Sequence, residues 1–411
     1  MNLASEVLRR TGFPTERKSR ERHPTAFAET ARGARLDSID LLRGLVMVVM
    51  ALDHTRDFFA AGGFNPRDVT DPALFLTRWI THFCAPTFVL LTGISAFLYG
   101  TGRQTSEVSR YLFTRGCWLV LIEVTLVRVG WSFNFHFDHL VLQVIFAIGA
   151  SMIVLAALIH LPRWAIATVG VVMIAGHNML DGVKAEQLGA AAPIWNLLHQ
   201  PGLLDLGTNY KLFVLYPLIP WIGVMATGYS LGPLFTTERT VRVQRLFILG
   251  GAITAGFVIL RASKLYGDPT PWAVQGRPFV TLLSFINCEK YPPSLLYLAM
   301  TLGPALLLLA AFERARGIVV DWITTFGRVP FFYYVVHIFL IHALAIVFAW
   351  ATIGEAPWLL GAFPPQKPAA YGLGLAGVYT VWILVVISLY PVCRWFADIK
   401  RRRTEWWWSY L

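Results

Sequence analysis

Arg43 and His54 stand eleven positions apart inside the first long apolar run of the chain, where a bilayer makes both residue types costly to keep. An eleven-residue step on an α-helix turns about 1100°, three turns plus roughly 20°, and climbs about 16 Å. The two side chains therefore share one face at different depths. A guanidinium near one surface holds an anionic group, and a neutral imidazole about half a bilayer further in takes a proton from an attacking hydroxyl or amine. Such a pair suits chemistry that reaches across a membrane.

The neighbours divide between chemical and structural readings. Asp40, three residues before Arg43, is a counter-ion for it, and a snorkelling arginine is the plain alternative. Asp53, His54, Arg56 and Asp57 put four ionisable groups into five residues. Asp57, one turn beyond His54, is placed to orient its ring or stabilise its protonated form; a polar helix end at the interface is the alternative. His82, in His82-Phe83-Cys84-Ala85-Pro86, falls level with His54 by depth, so both imidazoles face one cavity unless His82 only satisfies the kink at Pro86. Glu123 lies mid-membrane and reads as the partner of another helix's cation, with Arg128 further out. In Gly327-Arg328-Val329-Pro330-Phe331-Phe332-Tyr333-Tyr334-Val335-Val336-His337, Arg328, Tyr333 and Tyr334 at a helix start form a cradle for phosphate or adenine, or a basic-aromatic interface anchor. His337 and His342, five apart, point about 140° away from each other and cannot both face one site.

The elements that position these groups follow from composition. Of 411 residues, 56% are hydrophobic and only 14% charged, which excludes an ordinary soluble domain. The chain is predicted to be all-α, a polytopic transmembrane bundle of about ten spans near 39–60, 74–99, 110–130, 139–160, 163–180, 211–235, 244–265, 293–312, 329–352 and 371–397. With both termini cytoplasmic, Lys and Arg fall 23 inside and 11 outside, Arg43 apart. The net charge of +11 is thus topology and attraction to an anionic lipid bilayer, with no nucleic-acid partner. Residues 1–38 read as a flexible basic cytoplasmic tail without a cleavable signal, 39–397 as the membrane domain and 398–411 as a basic, Trp-rich tail. Outer loops at 60–73, 181–210 and 266–292 are longer than the inner ones, and an acceptor-recognition surface belongs there. Trp131, Trp195, Trp272 and Trp358 fall at the outer interface and Trp406, Trp407 and Trp408 at the inner one.

No metal is predicted. Cys84, Cys117, Cys288 and Cys393 are isolated, and His136-Phe137-Asp138-His139 lacks the spacing of a third ligand. Gly372-Leu373-Gly374-Leu375-Ala376-Gly377 matches a dinucleotide fingerprint, but it sits in an apolar helix with no strand before it, so helix packing explains it. No phosphate-binding G-x-x-x-x-G-K is present, and no two-fold repeat of the transporter kind stands out.

Residues 35–59, from R-L-D-S-I-D-L-L-R-G-L to A-L-D-H-T-R-D-F-F, and T-R-W-I-T-H-F-C-A-P-T-F-V-L-L-T-G at 77–93 resemble the bacterial members of the heparan-α-glucosaminide N-acetyltransferase-like transmembrane acyltransferases. The Arg43 to His54 spacing is similar to that of bacterial membrane O-acyltransferases, and G-R-V-P-F-F-Y-Y-V-V-H-I-F-L-I-H is similar to a late helix of the superfamily. The resemblance implies transfer of an acyl group, usually acetyl, from cytoplasmic acyl-CoA to a hydroxyl or amine, as on a glycan, across the bacterial inner membrane. Arg43 then faces CoA, with Arg328, Tyr333 and Tyr334, while His54 is the essential histidine, with Asp53, Asp57 and His82 around it. One departure bears on this assignment. In the animal lysosomal enzyme the first helix carries Asn where His54 sits and the reactive histidine lies in the following loop, whereas residues 60–73 contain no histidine. His54 does that work here, or this branch does other chemistry. The rival reading is a secondary transporter or proton-coupled carrier that relays protons through Asp53, His54, Glu123 and His82. The sequence leaves the oligomeric state and the acceptor open.

Overall fold

The computed structural model describes residues 26–61, 67–137, 139–205, 210–361, 365–403 and 405, with side chains from Asp37 onward. Asp138 and Trp406 to Trp408 lie outside them. The chain is mostly helical. Helix α1 (Ala26–Phe59) begins inside the segment read as a tail and carries Arg43 and His54 on one continuous rod of 34 residues. Asp71 starts α2 (Pro72–Thr81) by accepting the Leu74 N–H at 3.1 Å, with Pro72 where its missing donor does no harm. After a turn at His82 and Phe83 the chain continues as α3 (Cys84–Gly100).

Helix α4 (Thr105–Ile122) widens into a π-helical turn, Glu123–Val127, before the short α5 (Arg128–Ser132). Then follow α6 (Val144–Leu158), α7 (Arg163–Gly176), α8 (Ala192–Leu198), α9 (Leu218–Leu231), α10 (Arg239–Ser263) and α11 (Pro278–Ile286). Helix α12 (Leu295–Phe312) is capped by Ser294, which accepts the Tyr297 N–H at 3.0 Å. The chain closes with α13 (Ile318–Arg328), α14 (Pro330–Ile353) and α15 (Leu375–Arg402).

Six helical stretches among the described residues are long and apolar enough to cross a hydrocarbon core: Pro72–Gly100, Leu218–Thr236, Arg239–Ser263, Leu295–Phe312, Pro330–Ile353 and Leu375–Arg402. This is an integral membrane protein. The other four predicted segments differ from these for separate reasons. Asp40, Arg43, Asp53 and Arg56 interrupt the apolar run of α1, Glu107, Arg110 and Arg115 interrupt that of α4, and α6 and α7 have only 15 and 14 residues.

The all-α expectation needs one addition, a three-stranded sheet of order β1-β3-β2. Strands β1 (His139–Leu142) and β3 (Lys211–Val214) run parallel, from His139↔Lys211 to Leu142↔Val214, and β2 (Gly202–Asp205) pairs antiparallel with β3. Each occupies the start of a predicted span or the loop before one, so the helices at 139–160 and 211–235 begin later than their apolar runs. Two of the three dinucleotide-like glycines, Gly372 and Gly374, also precede their helix: Leu373 donates its N–H to the Phe59 carbonyl at 2.7 Å, and Gly372, at φ 120°, lies against Ala60 and Ala61.

Helix α1 is the central post, in contact with α2, α3, α12, α13, α14 and α15. At its start α1 and α13 touch through backbone. A Cβ on Gly44 would overlap the Ile323 carbonyl, and one on Gly327 the Asp40 carbonyl. Nearby, Glu313 at the end of α12 is buried between the Arg242 guanidinium at 2.6 Å and the Ser38 hydroxyl at 2.7 Å. That network fixes α1, α10 and α12 together.

Candidate active site

Two of the cavities along α1 contain predicted site residues; a third, apolar one lies between α1 and α12 and holds none of them. The larger of the two, about 540 Å³, is lined near the end of the helix by Asp53, His54, Arg56 and Asp57, and opposite them by Arg78, Lys290, Tyr291 and Lys367. The smaller, about 110 Å³, is lined by Arg43 and Arg115 among mostly apolar residues. Met50, Phe88, Val144 and Tyr334 line both, so one set of four side chains forms the partition between them. Arg43 and His54 therefore open to neighbouring chambers at an axial separation of about 16 Å along a continuous helix.

His54 is held by a residue that the chain order does not bring near it. Its Nδ1 lies 2.7 Å from Nε2 of His337 on α14, and Nδ1 of His337 lies 2.8 Å from the Tyr333 carbonyl. A carbonyl only accepts, so His337 carries its proton on Nδ1 and offers the Nε2 lone pair. His54 must then donate from Nδ1, which leaves its own Nε2 as the basic nitrogen on the cavity side. The two rings are nearly parallel, 4.9 Å between centroids, and Trp131 meets His54 edge-on at 4.7 Å. One imidazole thus fixes the tautomer and the pose of the other.

The remaining predicted residues are distributed differently from expectation. Asp57 does not orient His54: both Asp53 and Asp57 pair with Arg56, each at 2.8 Å, because a guanidinium between two carboxylates satisfies all three charges at once. All three line the large cavity. His82 does not. It is buried beside Tyr297, ring centroids 5.3 Å apart, with neither nitrogen hydrogen-bonded, since the turn between α2 and α3 rotates it away from the cavity that Thr81 and Cys84 line.

Arg43 donates to Asp40 at 2.8 Å, to the Gly327 carbonyl at 3.3 Å and to the Ser95 hydroxyl at 3.0 Å, while still lining the small cavity. Tyr334 lies in the partition. Tyr333 and Arg328 depart from the predicted cradle. Tyr333 is buried against Phe326 and His337 and contributes its backbone carbonyl, and Arg328 is half-exposed, 3.9 Å from Asp37 and away from both cavities.

Two further assignments change. Glu123 accepts the Gln143 N–H at 3.0 Å, at the start of α6, so it serves a helix N-terminus in place of a cation. Arg128 binds the carbonyls of Asn134 and His139 and pins the loop between α5 and β1. Trp131 is a wall of the His54 cavity instead of an interfacial residue. His337 and His342 do diverge as their spacing requires, His342 bonding the carbonyls of Gly130 and Leu359.

The large cavity is cationic, with Arg56, Arg78, Lys290 and Lys367 against Asp53 and Asp57. Lys367 donates to the Ala60 carbonyl at 2.9 Å. Burial lowers its ammonium to about 8, with Asp57 pulling the other way. No sequence motif announces Lys290 or Lys367, and Arg78 stands inside the 77–93 stretch without being singled out by it. Each is a lone cation in or near a connecting segment, which is the one signal they carry.

The family model for heparan-alpha-glucosaminide N-acetyltransferase, catalytic, matches residues 35–260. The match spans more than half of the chain and includes both Arg43 and His54, and the chain belongs to this family. No curated protein matches it.

Proposed function

We propose that the protein moves an acetyl group from acetyl-CoA, approaching at the Arg43 end, to an amine or hydroxyl of a glycan held in the His54 cavity. The proposal includes ten spans with both termini in the cytoplasm of a bacterial cell, which puts the Arg43 end on the donor's side and the His54 cavity outside. The carrying observation is the shared partition: a single layer of side chains, Met50, Phe88, Val144 and Tyr334, stands between the chamber of the guanidinium and the chamber of the oriented imidazole.

In this mechanism Arg43 and Arg115 attract the anionic part of the donor, and the thioester arm reaches the partition through the apolar small cavity. The acceptor's nitrogen or oxygen attacks the thioester carbonyl carbon while His54 Nε2 takes its proton. The C–S bond then breaks, and His54 returns that proton to the departing sulfur, giving CoA thiol and acetylated acceptor. During the interval in which His54 is an imidazolium, its Nδ1–H bond to His337 becomes charge-assisted and therefore stronger. His337 acts as a positioning residue that favours the charged intermediate state. The excess of cations over acids around the acceptor suits a glycan bearing anionic groups.

The rival carrier reading loses its relay, because Glu123 is spent on a helix start and His82 faces Tyr297. The deciding experiment is thiol release from acetyl-CoA by the purified protein with an amino-sugar oligosaccharide as acceptor. Release that depends on the acceptor and disappears in His54→Ala supports transfer; acceptor uptake into vesicles with no thiol release would overturn it.

A further inference from the structure

Away from both cavities, His177, Asp181 and His199 converge where α7, α8 and α12 meet. His177 opens a 3₁₀ turn, His177–Leu180, at the end of α7; Asp181 follows that turn, and His199 follows α8. One potential ligand atom from each lies within 4.8 Å of the others. We propose that these three residues bind one divalent transition-metal ion of the zinc class.

Four observations carry this assignment. First, the ligand set of two imidazoles and a carboxylate is the borderline donor chemistry that such ions take, in a tripod that leaves one position for water. Second, His199 Nε2 and Asp181 Oδ1 are already 3.1 Å apart. Two ligands on a tetrahedral ion with bonds near 2.0–2.1 Å stand about 3.3–3.5 Å apart, so these two need almost no movement and His177 closes the site by turning its ring.

Third, His177 is only 2% exposed, yet neither of its nitrogens makes a well-formed hydrogen bond, although the Pro293 carbonyl approaches its ring. A buried imidazole so poorly satisfied is costly to keep. His82 has the same deficit, but among the described residues no ligand cluster forms around it, and the difference is what marks a site. Fourth, the outer shell is in place. The Asn178 amide donates to Asp181 Oδ2 at 2.9 Å, which leaves Oδ1 for the ion, and Asn178 Oδ1 accepts the Leu295 N–H at 2.8 Å. Metal-binding carboxylates are held by such partners. The alternative is a simple His199–Asp181 pair with His177 packed beside it, rings 5.7 Å apart.

Bound there, the ion fastens the end of α8 to the end of α7, where Asn178 in turn holds the start of α12. The chain after α8 continues into β2, which pairs with β3 and so leads into Leu215 and Tyr216 on the wall of the large cavity. The role is structural, and it is independent of the acetyl-transfer reading.

The test uses the full chain without a histidine tag, stripped with chelator, incubated with zinc and freed of excess. Metal analysis is expected to give about one zinc per chain, and His177→Ala and His199→Ala to lower it at least fivefold. His136→Ala, which removes an exposed histidine elsewhere, should leave the ratio unchanged. Zinc should also raise the unfolding temperature of the natural protein by several degrees and leave that of His177→Ala unmoved. Zinc content at background in the natural chain, or retained by both alanine variants, overturns the proposal. Should those variants fail to fold, X-ray absorption at the zinc edge of the natural protein decides: two imidazole ligands support the site, and none refutes it.

Discussion

The two chambers along α1 differ in kind. The His54 chamber is several times larger, 540 Å³ against 110 Å³, and is lined by four cations and two carboxylates around a basic nitrogen whose orientation is fixed. The Arg43 chamber is narrow and mostly apolar, with its cations at one end and its walls from Met47, Leu119, Ile145 and Ile148. On the proposed reading, one holds a polar acceptor and performs proton transfer, and the other attracts a charged donor and passes only its slender arm. A single helix serves both because its pitch repeats a face every eleven residues.

Kinetics should separate the chambers. The largest effect is expected from His54→Ala, a loss of roughly 10²–10⁴-fold in kcat with the fold intact, measured as acceptor-dependent thiol release. If that variant instead raises KM for acetyl-CoA at unchanged kcat, the division between chambers fails. His337→Phe comes next. Without a partner for its Nδ1–H, His54 loses its fixed tautomer, so kcat should fall roughly 10–100-fold with both KM values unmoved. An equal fall in His342→Phe would show that ring packing, not the dyad, matters.

Arg43→Ala is expected to raise KM for acetyl-CoA about 10-fold, the effect of a charge-assisted bond of ~1.5 kcal/mol, with kcat little changed. Binding of CoA measured by thermal shift checks this directly, and an unaltered shift would remove Arg43 from the donor site. The smallest effect concerns Lys367, whose ammonium burial lowers to about 8. Below that pH the residue is charged, and the charge is lost as pH rises through it. Affinity for an anionic glycan should therefore decline about 2–3-fold from pH 7 to 9. Lys367→Gln should start from the weaker value and flatten the profile; a slope that persists in the variant assigns it to another group.

How much of this was readable in the chain follows the range of the signal. Arg43 and His54 were legible together because the geometry linking them is local to one helix, and composition marked the chain as a membrane protein. His337 was not, because the bond to His54 joins residues 283 positions apart and no periodicity records which helices pack side by side. The stretch around it drew attention for Arg328 and Tyr333, yet the structure uses the Tyr333 carbonyl and turns Arg328 to the surface. The strands were hidden for a different reason. Three apolar residues at 140–142 or 212–214, after His139 or Lys211, run on into a helix by hydrophobicity alone, and hydrogen bonding across the sheet decides their conformation. Asp57 was misassigned because sequence proximity suggested His54, whereas Arg56 offered a full charge next door.

The contact of Gly44 with Gly327 has a bearing on movement. With no side chains between them, α1 and α13 meet carbonyl to backbone, and Arg43 adds a bond to the Gly327 oxygen. Sliding or prying apart a junction so close would break packing that has no slack. A machine that ferries its cargo by opening first one face and then the other needs a loose joint at such a place. A welded one suits a stationary frame through which nothing larger than two carbons on a flexible tether changes hands.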